Sequence, residues 1–326
     1  MKNEKPFVSV VIVSFNGLGI LKITLPSIIN LSYPSHRREI LVVDNSSNDG
    51  TAQYLAKEYP EVKIIRNKEN LGYVGVNSAI PYCRGEYIYF INNDIKAKKD
   101  CLKILVDLIK DDKSIAMVSP ALVNYYDHKL ASGGTWASRA MYTGHLQKDG
   151  EKRKAMEIPY MGVGLIRKSF VERFGCIFDP DYFIYAEDFD LGLRIRLAGM
   201  KTVLAFSALN YHMHAITMKR HSTAERNTFL LERNSLMTFL KIFSVKMILV
   251  LLPYVLAMRL LSILKDLSAL SIKNAFARIT AIGWVIVNSS KILKKRNAIQ
   301  KLRNADDKYI LKIFTERYLF RKPFIV

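Results

Sequence analysis

The sequence predicts an α/β domain, a parallel sheet flanked by helices, with a basic helical extension behind it. Two observations carry this. From the first residues on, short β-branched apolar runs alternate with stretches of helical spacing. The net charge of +20 over 326 residues is also concentrated at the far end, where 17 Lys and Arg face 4 Asp and Glu from residue 241 onward. The expected division is residues 1–240 for the α/β domain and 241–326 for the helical tail.

Phe7 to Val13 is a continuous, β-branched run that stops at Ser14-Phe15-Asn16-Gly17, as a buried parallel strand does. Leu18 to Asn30 has helical spacing. Glu39 to Val43 is a second strand, ending in Asp44-Asn45-Ser46-Ser47, and a helix follows from Ala52 to Tyr59. Val62 to Ile65 is a third strand. In such sheets ligands bind beyond the carboxyl ends of the strands, here occupied by Ser14, Asn16, Asp44 and Asn45. Ordinary turn chemistry explains each of them singly. A third polar loop, Asn67 to Asn77, places Gly72 and Gly75 before a helix, where backbone N–H groups can approach a phosphate. It is neither a Walker loop nor a dinucleotide fingerprint. Next, the strand Tyr87 to Ile91 runs into Asn92-Asn93-Asp94. A carboxylate there suits Mg2+ or Mn2+ bridged to a diphosphate, and equally suits a strand-ending turn.

Further along, a helix is expected at Cys101–Ile109, a strand at Ile115–Pro120, and loops at Ser132–Trp136 and on to Lys154. A short helix is expected at Ile166–Gly175 and a strand at Thr202–Phe206. Between the last two lies the most acidic stretch, Asp179 to Arg194, with Glu187, Asp188 and Asp190 within four positions. Acidic residues at a helix start are favoured by free N–H groups and the helix dipole. The same placement suits a general base facing a bound acceptor. His212 and His214 share one face of the extended segment behind it.

Composition excludes several classes. Cys83, Cys101 and Cys176 are odd in number and widely spaced, so neither a disulfide framework nor a zinc motif is expected, and a reducing compartment is. The first residues show no signal-peptide pattern. No base-reading motif accompanies the basic tail, which argues against nucleic acid.

In order and spacing, these motifs resemble family 2 glycosyltransferases of the GT-A fold, close to the rhamnosyltransferase-like branch. The resemblance is carried by Val10–Asn16, Val42–Ser47, Asn70-Leu71-Gly72 with Asn77, Phe90–Asp94, Met161–Gly164 and Phe183–Leu191, and covers about Phe7 to Asn234. It implies a Rossmann-like, mostly parallel mixed sheet flanked by helices. It also implies an inverting enzyme that moves a sugar from a nucleotide-diphosphate-sugar donor to a hydroxyl of a lipid-linked or polysaccharide acceptor in cell-surface glycan synthesis. Asp188 then matches the base, Glu187 the residue that orients base or acceptor, and Asp190 a support of the helix start. Asp94 matches the metal ligand, and His212, ahead of His214, its partner. Asn92 and Asn93 precede the metal carboxylate, with Asn92 where the family's D-x-D motif has its first acid. Ser14, Asn16, Asp44 and Asn45 fall to base and ribose, Gly72 to Asn77 to the diphosphate, and Gly162 with Gly164 to close backbone approach under the sugar. Arg233-Asn234 matches an Arg-Asn pair of the family.

Two other classes compete. A non-catalytic nucleotide-sugar-binding scaffold of a membrane glycan-assembly complex needs the donor residues alone. A nucleotidyltransferase needs a Gly-rich loop with Lys or Arg directly after the first strand, which Ser14 to Leu18 does not supply. In the tail, residues 247–258 and 279–290 are uncharged runs of twelve between Lys246 and Arg259 and between Arg278 and Lys291. Twelve is short of the roughly 20 residues that span a bilayer. Lys and Arg at the flanks can snorkel to phosphates, so one or two helices are expected to lie in, or dip into, the interface of an anionic membrane surface, at the cytoplasmic face of the cell membrane; if Arg259 and Arg278 snorkel, shallow spanning is open as well. A buried helical hairpin is the alternative.

Overall fold

The computed structural model describes residues 4–146, 154–213 and 223–317, so His214 lies outside the described residues. The first half follows the predicted alternation: β1 (Val8–Ser14), α1 (Leu18–Ile29), β2 (Arg38–Asp44), α2 (Thr51–Glu58) and β3 (Lys63–Arg66). A 3-10 helix (Gly72–Tyr82) leads to β4 (Tyr87–Asn92) and the short β5 (Ile95–Ala97). Strands β4, β1, β2 and β3 lie side by side and parallel. Their register sets Ser14 opposite Asp44 and Val13 opposite Asn92, so the polar strand ends gather at one edge.

The second half turns the sheet mixed. After α3 (Cys101–Ile109) come β6 (Ile115–Asn124), β7 (Leu130–Ser132), β8 (Thr135–Ala137), β9 (Thr143–His145), β10 (Ala155–Ile158) and β11 (Gly164–Arg167). Helices α4 (Lys168–Phe174) and α5 (Glu187–Leu197) precede β12 (Lys201–His212). β11 inserts antiparallel between β4 and β6, and β12 runs parallel to β6. Gly164 permits this insertion: a Cβ there would meet Met117 Cε at 2.6 Å and the Val118 carbonyl at 2.8 Å. Its close approach is to β6 within the sheet, which corrects the expectation that it lies under a sugar.

Three expected elements differ. Thr135 and Trp136 form the β8–β9 hairpin instead of an open loop, because the Thr135 hydroxyl donates to the Tyr160 carbonyl (2.6 Å) and both residues are buried. The strand expected at Thr202–Phe206 continues past an irregularity to His212, where it pairs with β5 and sets His212 opposite Ile95. The helix expected from Ile166 starts at Lys168, since Ile166 is still paired with Met117 and Ile88.

Among the described residues five helices follow: α6 (Ala224–Ile242), α7 (Val245–Ser268), α8 (Ile272–Val287), α9 (Ser289–Gln300) and α10 (Asp307–Leu311). Phe239, Phe243, Val255, Ile292 and Ile310 join the same apolar core as the sheet. Charge fastens them as well. Glu232 of α6 is buried and pairs with Arg259 of α7 (3.1 Å) and with Arg278 of α8, which also holds Asp266 (2.7 Å). Arg259 and Arg278 therefore point inward, contrary to the snorkelling expected of them. A buried carboxylate at Glu232 would be costly without these cations.

Lys241 of α6 is fully buried, 2.7 Å from Asp179 and 2.7 Å from Asp190. Burial raises the Asp179 carboxyl, but Lys241 and Lys295 outweigh it and hold the group well below the ordinary range. A depressed carboxylate contributes stability above its unfolded pKa, and that contribution is lost as pH falls toward the folded value. We predict that Lys241→Ala, which removes the cation shared by two buried carboxylates and leaves Asp179 to Lys295 and Asp190 to Arg194 alone, costs about 3 kcal/mol in urea unfolding at neutral pH. The deficit should shrink as the pH is lowered through the carboxylate range. A pH-independent loss below about 1 kcal/mol would contradict the pairing.

Candidate active site

The polar strand ends interlock into one wall. Asp44 is fully buried; its Oδ1 accepts from Ser47 N (2.9 Å), and Arg66 lies 3.6 Å away. Asn16 adopts φ 46°, its N–H donates to Ser47 Oγ, and its Oδ1 accepts from Asn48 N. Asn93 Nδ2 donates to Ser14 Oγ (3.1 Å). Gly17 is required beside them, since a Cβ there would lie 2.1 Å from Asn93 Nδ2. Ser14, Asn16, Asp44, Asn92 and Asn93 are thus brought to one edge.

Asp94 follows at the same edge, and β12 brings His212 Nε2 to 3.2 Å from its Oδ2. The Met213 N–H donates to the Asp94 carbonyl (3.1 Å), which fixes that approach. Among the described residues, no cluster of three or more His, Cys, Asp or Glu is arranged around a metal position. Asp94 and His212 form a two-member donor set. One or two protein ligands completed by phosphate oxygens and water suit Mg2+ or Mn2+ better than an all-protein cage does.

Two predicted contact residues serve the fold instead. Asn45 Nδ2 donates to the Gly72 carbonyl (2.7 Å), and its Oδ1 accepts from Asn67 (2.8 Å). Asn77 Nδ2 donates to the Phe178 carbonyl (2.6 Å), while its Oδ1 accepts from Ile177 and Phe178 N–H. Both side chains have their hydrogen bonds committed inside the protein. Gly72 adopts φ 67°, and a Cβ there would stand 2.3 Å from the Phe183 carbonyl oxygen. The close approach that this glycine permits is to the acidic stretch, not to a phosphate.

The acidic stretch forms a second wall. Phe183, Tyr185 and Ala186 all have positive φ, of 67°, 67° and 58°. Non-glycine residues hold such angles at a cost of order 1–3 kcal/mol each, and only where the surroundings over-determine them. Here Asn234 Nδ2 donates to the carbonyls of Tyr182 (3.3 Å), Ile184 (3.0 Å) and Tyr185 (2.7 Å). Arg233 donates to those of Asp181 and Tyr182, and Tyr73 N–H to that of Phe183 (2.9 Å).

Past the loop, α5 begins at Glu187, so all three acids fall in its first turn, as dipole and free N–H groups favour. Their surroundings then separate them. Asp190 is fully buried between Arg194 (2.7 Å) and Lys241, and accepts from Tyr182 Oη (3.2 Å). Asp188 is half-buried, with Oδ1 accepting from Phe189 N–H (2.8 Å). Its Oδ2 lies 3.4 Å from where a Cβ on Gly162 would stand, an ordinary contact distance, so Gly162 lies directly beside the carboxylate. Burial pushes the Asp188 carboxyl up to about 6. Glu187 is 6% exposed, its Oε2 has no hydrogen-bond partner, and burial followed by the Asp188 charge pushes it well above the ordinary range.

Tyr73 connects the two walls. Its hydroxyl donates to the Gly162 carbonyl (2.6 Å), its ring packs on Phe178, and it lies in the fields of Glu187, Asp188 and Asp94 together. Sequence reasoning missed Tyr73; its place directly after Gly72 was the available signal. The Arg233-Asn234 pair was noticed without a role.

Residues 9–174 match the family described as Glycosyl transferase family 2. The chain belongs to glycosyl transferase family 2. The mixed sheet is the GT-A architecture expected of that family. An N-acetylglucosaminyl-diphospho-decaprenol L-rhamnosyltransferase of Mycobacterium tuberculosis is 30% identical over 217 residues, 56% of this chain and 67% of that one. A beta-monoglucosyldiacylglycerol synthase of Trichormus variabilis is 30% identical over 140 residues, 41% of this chain and 30% of that one. This chain therefore spans less than a third of the synthase's length. The crystal structure of GalNAc-T7 with UDP, GalNAc and Mn2+ superposes with a TM-score of 0.60 at 20% identity, over 73% of this chain and 48% of that one. The family 2 match ends at residue 174, before the acidic stretch begins.

If Asn234 holds the strained loop, Asn234→Asp should be worse than Asn234→Ala, because it sets a carboxylate against three carbonyls. We expect the alanine variant to lose at least about 2 kcal/mol in urea unfolding and the aspartate variant more. An aspartate variant as stable as the parent chain would contradict this role.

Proposed function

We propose that this chain is an inverting glycosyltransferase that moves a sugar from a nucleotide-diphosphate-sugar to a hydroxyl of a lipid-linked or polysaccharide acceptor in cell-surface glycan synthesis. The observation that carries the reading is Asp188. It is a carboxylate raised to about 6, opposite the Gly162 backbone, in a site whose far side holds Asp94. A base poised near the operating pH is what proton removal from a hydroxyl requires.

In this reading Asp188 takes the acceptor hydroxyl proton as that oxygen bonds to the anomeric carbon. The bond from carbon to the diphosphate oxygen breaks on the opposite face, and its electron pair leaves with the nucleoside diphosphate. One base acting on one face gives inversion. Glu187, whose carboxyl burial pushes well above the ordinary range, orients the acceptor or the base. Asp190 takes no part and holds the helix start. Ser14, Asn16, Asp44, Asn92 and Asn93 form the base and ribose end of the donor site. Asn45, Gly72 and Asn77 shape that site by fixing the loop that lines it. Asp94 and His212 would hold Mg2+ or Mn2+, which when bound supplies positive charge against the departing diphosphate.

The rhamnosyltransferase of M. tuberculosis, whose name specifies a diphospho-decaprenol substrate, supports a lipid-linked acceptor. Such an acceptor is presented at a membrane, here its cytoplasmic face, through the anionic surface that the basic tail favours. We also propose residues 1–240 as the catalytic domain and 241–326 as the part that meets the membrane.

A thermal-shift screen of UDP-, dTDP- and GDP-sugars with Mn2+ or Mg2+ identifies the donor, since a ligand that binds the native state stabilises it by mass action. With that donor, Asp188→Asn should keep the shift and lose about 100- to 10,000-fold in transfer. Near-normal transfer would remove Asp188 as the base. A parent chain that binds the donor but neither transfers nor hydrolyses it, over a broad acceptor panel, would favour the scaffold reading. Asp94→Ala should abolish the metal dependence of the donor shift, and a shift indifferent to chelation in the parent chain would contradict the metal role.

A further inference from the structure

We infer that α7 and α8 form one docking surface that lies in the plane of an anionic lipid bilayer, without crossing it. This rests on the membrane reading above and specifies how it is achieved.

The outer side of α7 carries Leu249, Leu256, Leu260, Leu264 and Leu267, each about half exposed or more. Their spacing of seven, four, four and three is that of one helix face. The outer side of α8 carries Ile272, Phe276, Ile279 and Ile286 at spacings of four, three and seven, and Phe276 is 65% exposed. In the turn between the two helices, Leu270 is 84% exposed. A surface helix of a soluble protein turns its apolar stripe inward and its polar side out. These helices already have buried inner sides, at Leu251, Val255 and Met258 and at Ala277, Ala281 and Val285. The outer stripes are additional apolar surface, and exposed apolar side chains lined up along helix faces in this way mark an interaction site.

Charge selects the occupant. Lys246, Lys265 and Lys273 are exposed beside the stripes, and Lys294 is exposed on α9. Asp266 is the single acid in the sequence between Val245 and Val287, and Arg278 neutralises it. An apolar face bordered by lysines fits acyl chains bordered by anionic headgroups, with the lysine stems lying along the apolar surface.

The orientation follows from how α7 is held. At 24 residues it is long and apolar enough to cross a bilayer. Yet it is fastened to the rest of the chain at successive turns. Tyr254 Oη donates to Glu316 (3.1 Å), Arg259 pairs with Glu232 and donates to the Ala140 carbonyl, and Tyr142 Oη meets Ser262 Oγ (2.7 Å). A crossing helix would carry these polar groups, and the sheet domain attached to them, into hydrocarbon. Lying in the plane leaves them on the aqueous side and gives the leucine stripe to lipid.

The test is flotation of the purified full chain on phosphatidylcholine vesicles with and without phosphatidylglycerol. The chain should float with the anionic vesicles and be released by alkaline carbonate. Leu256→Gln/Leu260→Gln/Phe276→Gln should remain unbound on both. Lys246→Gln/Lys265→Gln/Lys273→Gln should lose roughly 10- to 100-fold on anionic vesicles only. Both variants should keep the donor-induced thermal shift of the parent chain, which separates failure of docking from failure of the glycosyltransferase reading. Resistance to carbonate would overturn the in-plane orientation. Failure of the parent chain to float would overturn the lipid assignment. A light-scattering mass that falls from dimer to monomer in the leucine variant, without vesicle binding by the parent, would give the surface to a second copy instead.

Discussion

Lys241 is the charge on which the acidic stretch converges. Its ammonium is fully buried, bonded to Asp179 at one end of the stretch and to Asp190 in the first turn of α5. It also lies 4.5 Å from the centroid of the Tyr182 ring. Each of these charges would be expensive to bury alone, and together they are tolerable only in one arrangement. That arrangement fixes the distance between the start of the loop and the start of the helix. Lys295 and Lys291 of α9 tie Asp179 and Asp181 to the tail in the same way. The tail thus contributes directly to the geometry of the acidic stretch.

The loop between those fixed ends has no relaxed backbone path, as three positive-φ residues in a row of four attest. Asn234 supplies the compensation by collecting three carbonyls on one amide. Gly72 admits the loop from the other side. The outcome is that Asp190 faces cations while Asp188, two residues away, faces the Gly162 backbone and forms no ion pair among the described residues. That contrast separates a structural carboxylate from one raised to about 6. A raised carboxyl costs stability once it ionises, so Asp188 weakens the fold as pH rises through that value. The neighbouring ion pairs offset it.

Much of this was legible in sequence where the signal is local. Strand ends at Ser14, Asp44 and Asn92 were readable because a parallel register brings such ends to one edge. The three acids were readable as a helix start. What was not legible is what depends on partners far along the chain. Asn77 reaches residues about a hundred positions away, and Asn45 binds the Gly72 carbonyl, so both appear as ligand contacts until their partners are known. Arg259 and Arg278 flank apolar runs as membrane-snorkelling residues do, and only Glu232, on another helix, reveals them as internal. The hairpin at Thr135 likewise depends on Tyr160.

The central claim is that this geometry makes Asp188 a base poised near 6. The most direct measurement is the pH dependence of nucleoside-diphosphate release from the donor, at limiting donor concentration, compared with the Asp188→Glu protein. The account predicts that log kcat/KM rises with unit slope below about 6, levels above it, and shifts its bend in the glutamate variant. A profile that is flat through that range, or a bend that the substitution leaves in place, would contradict it.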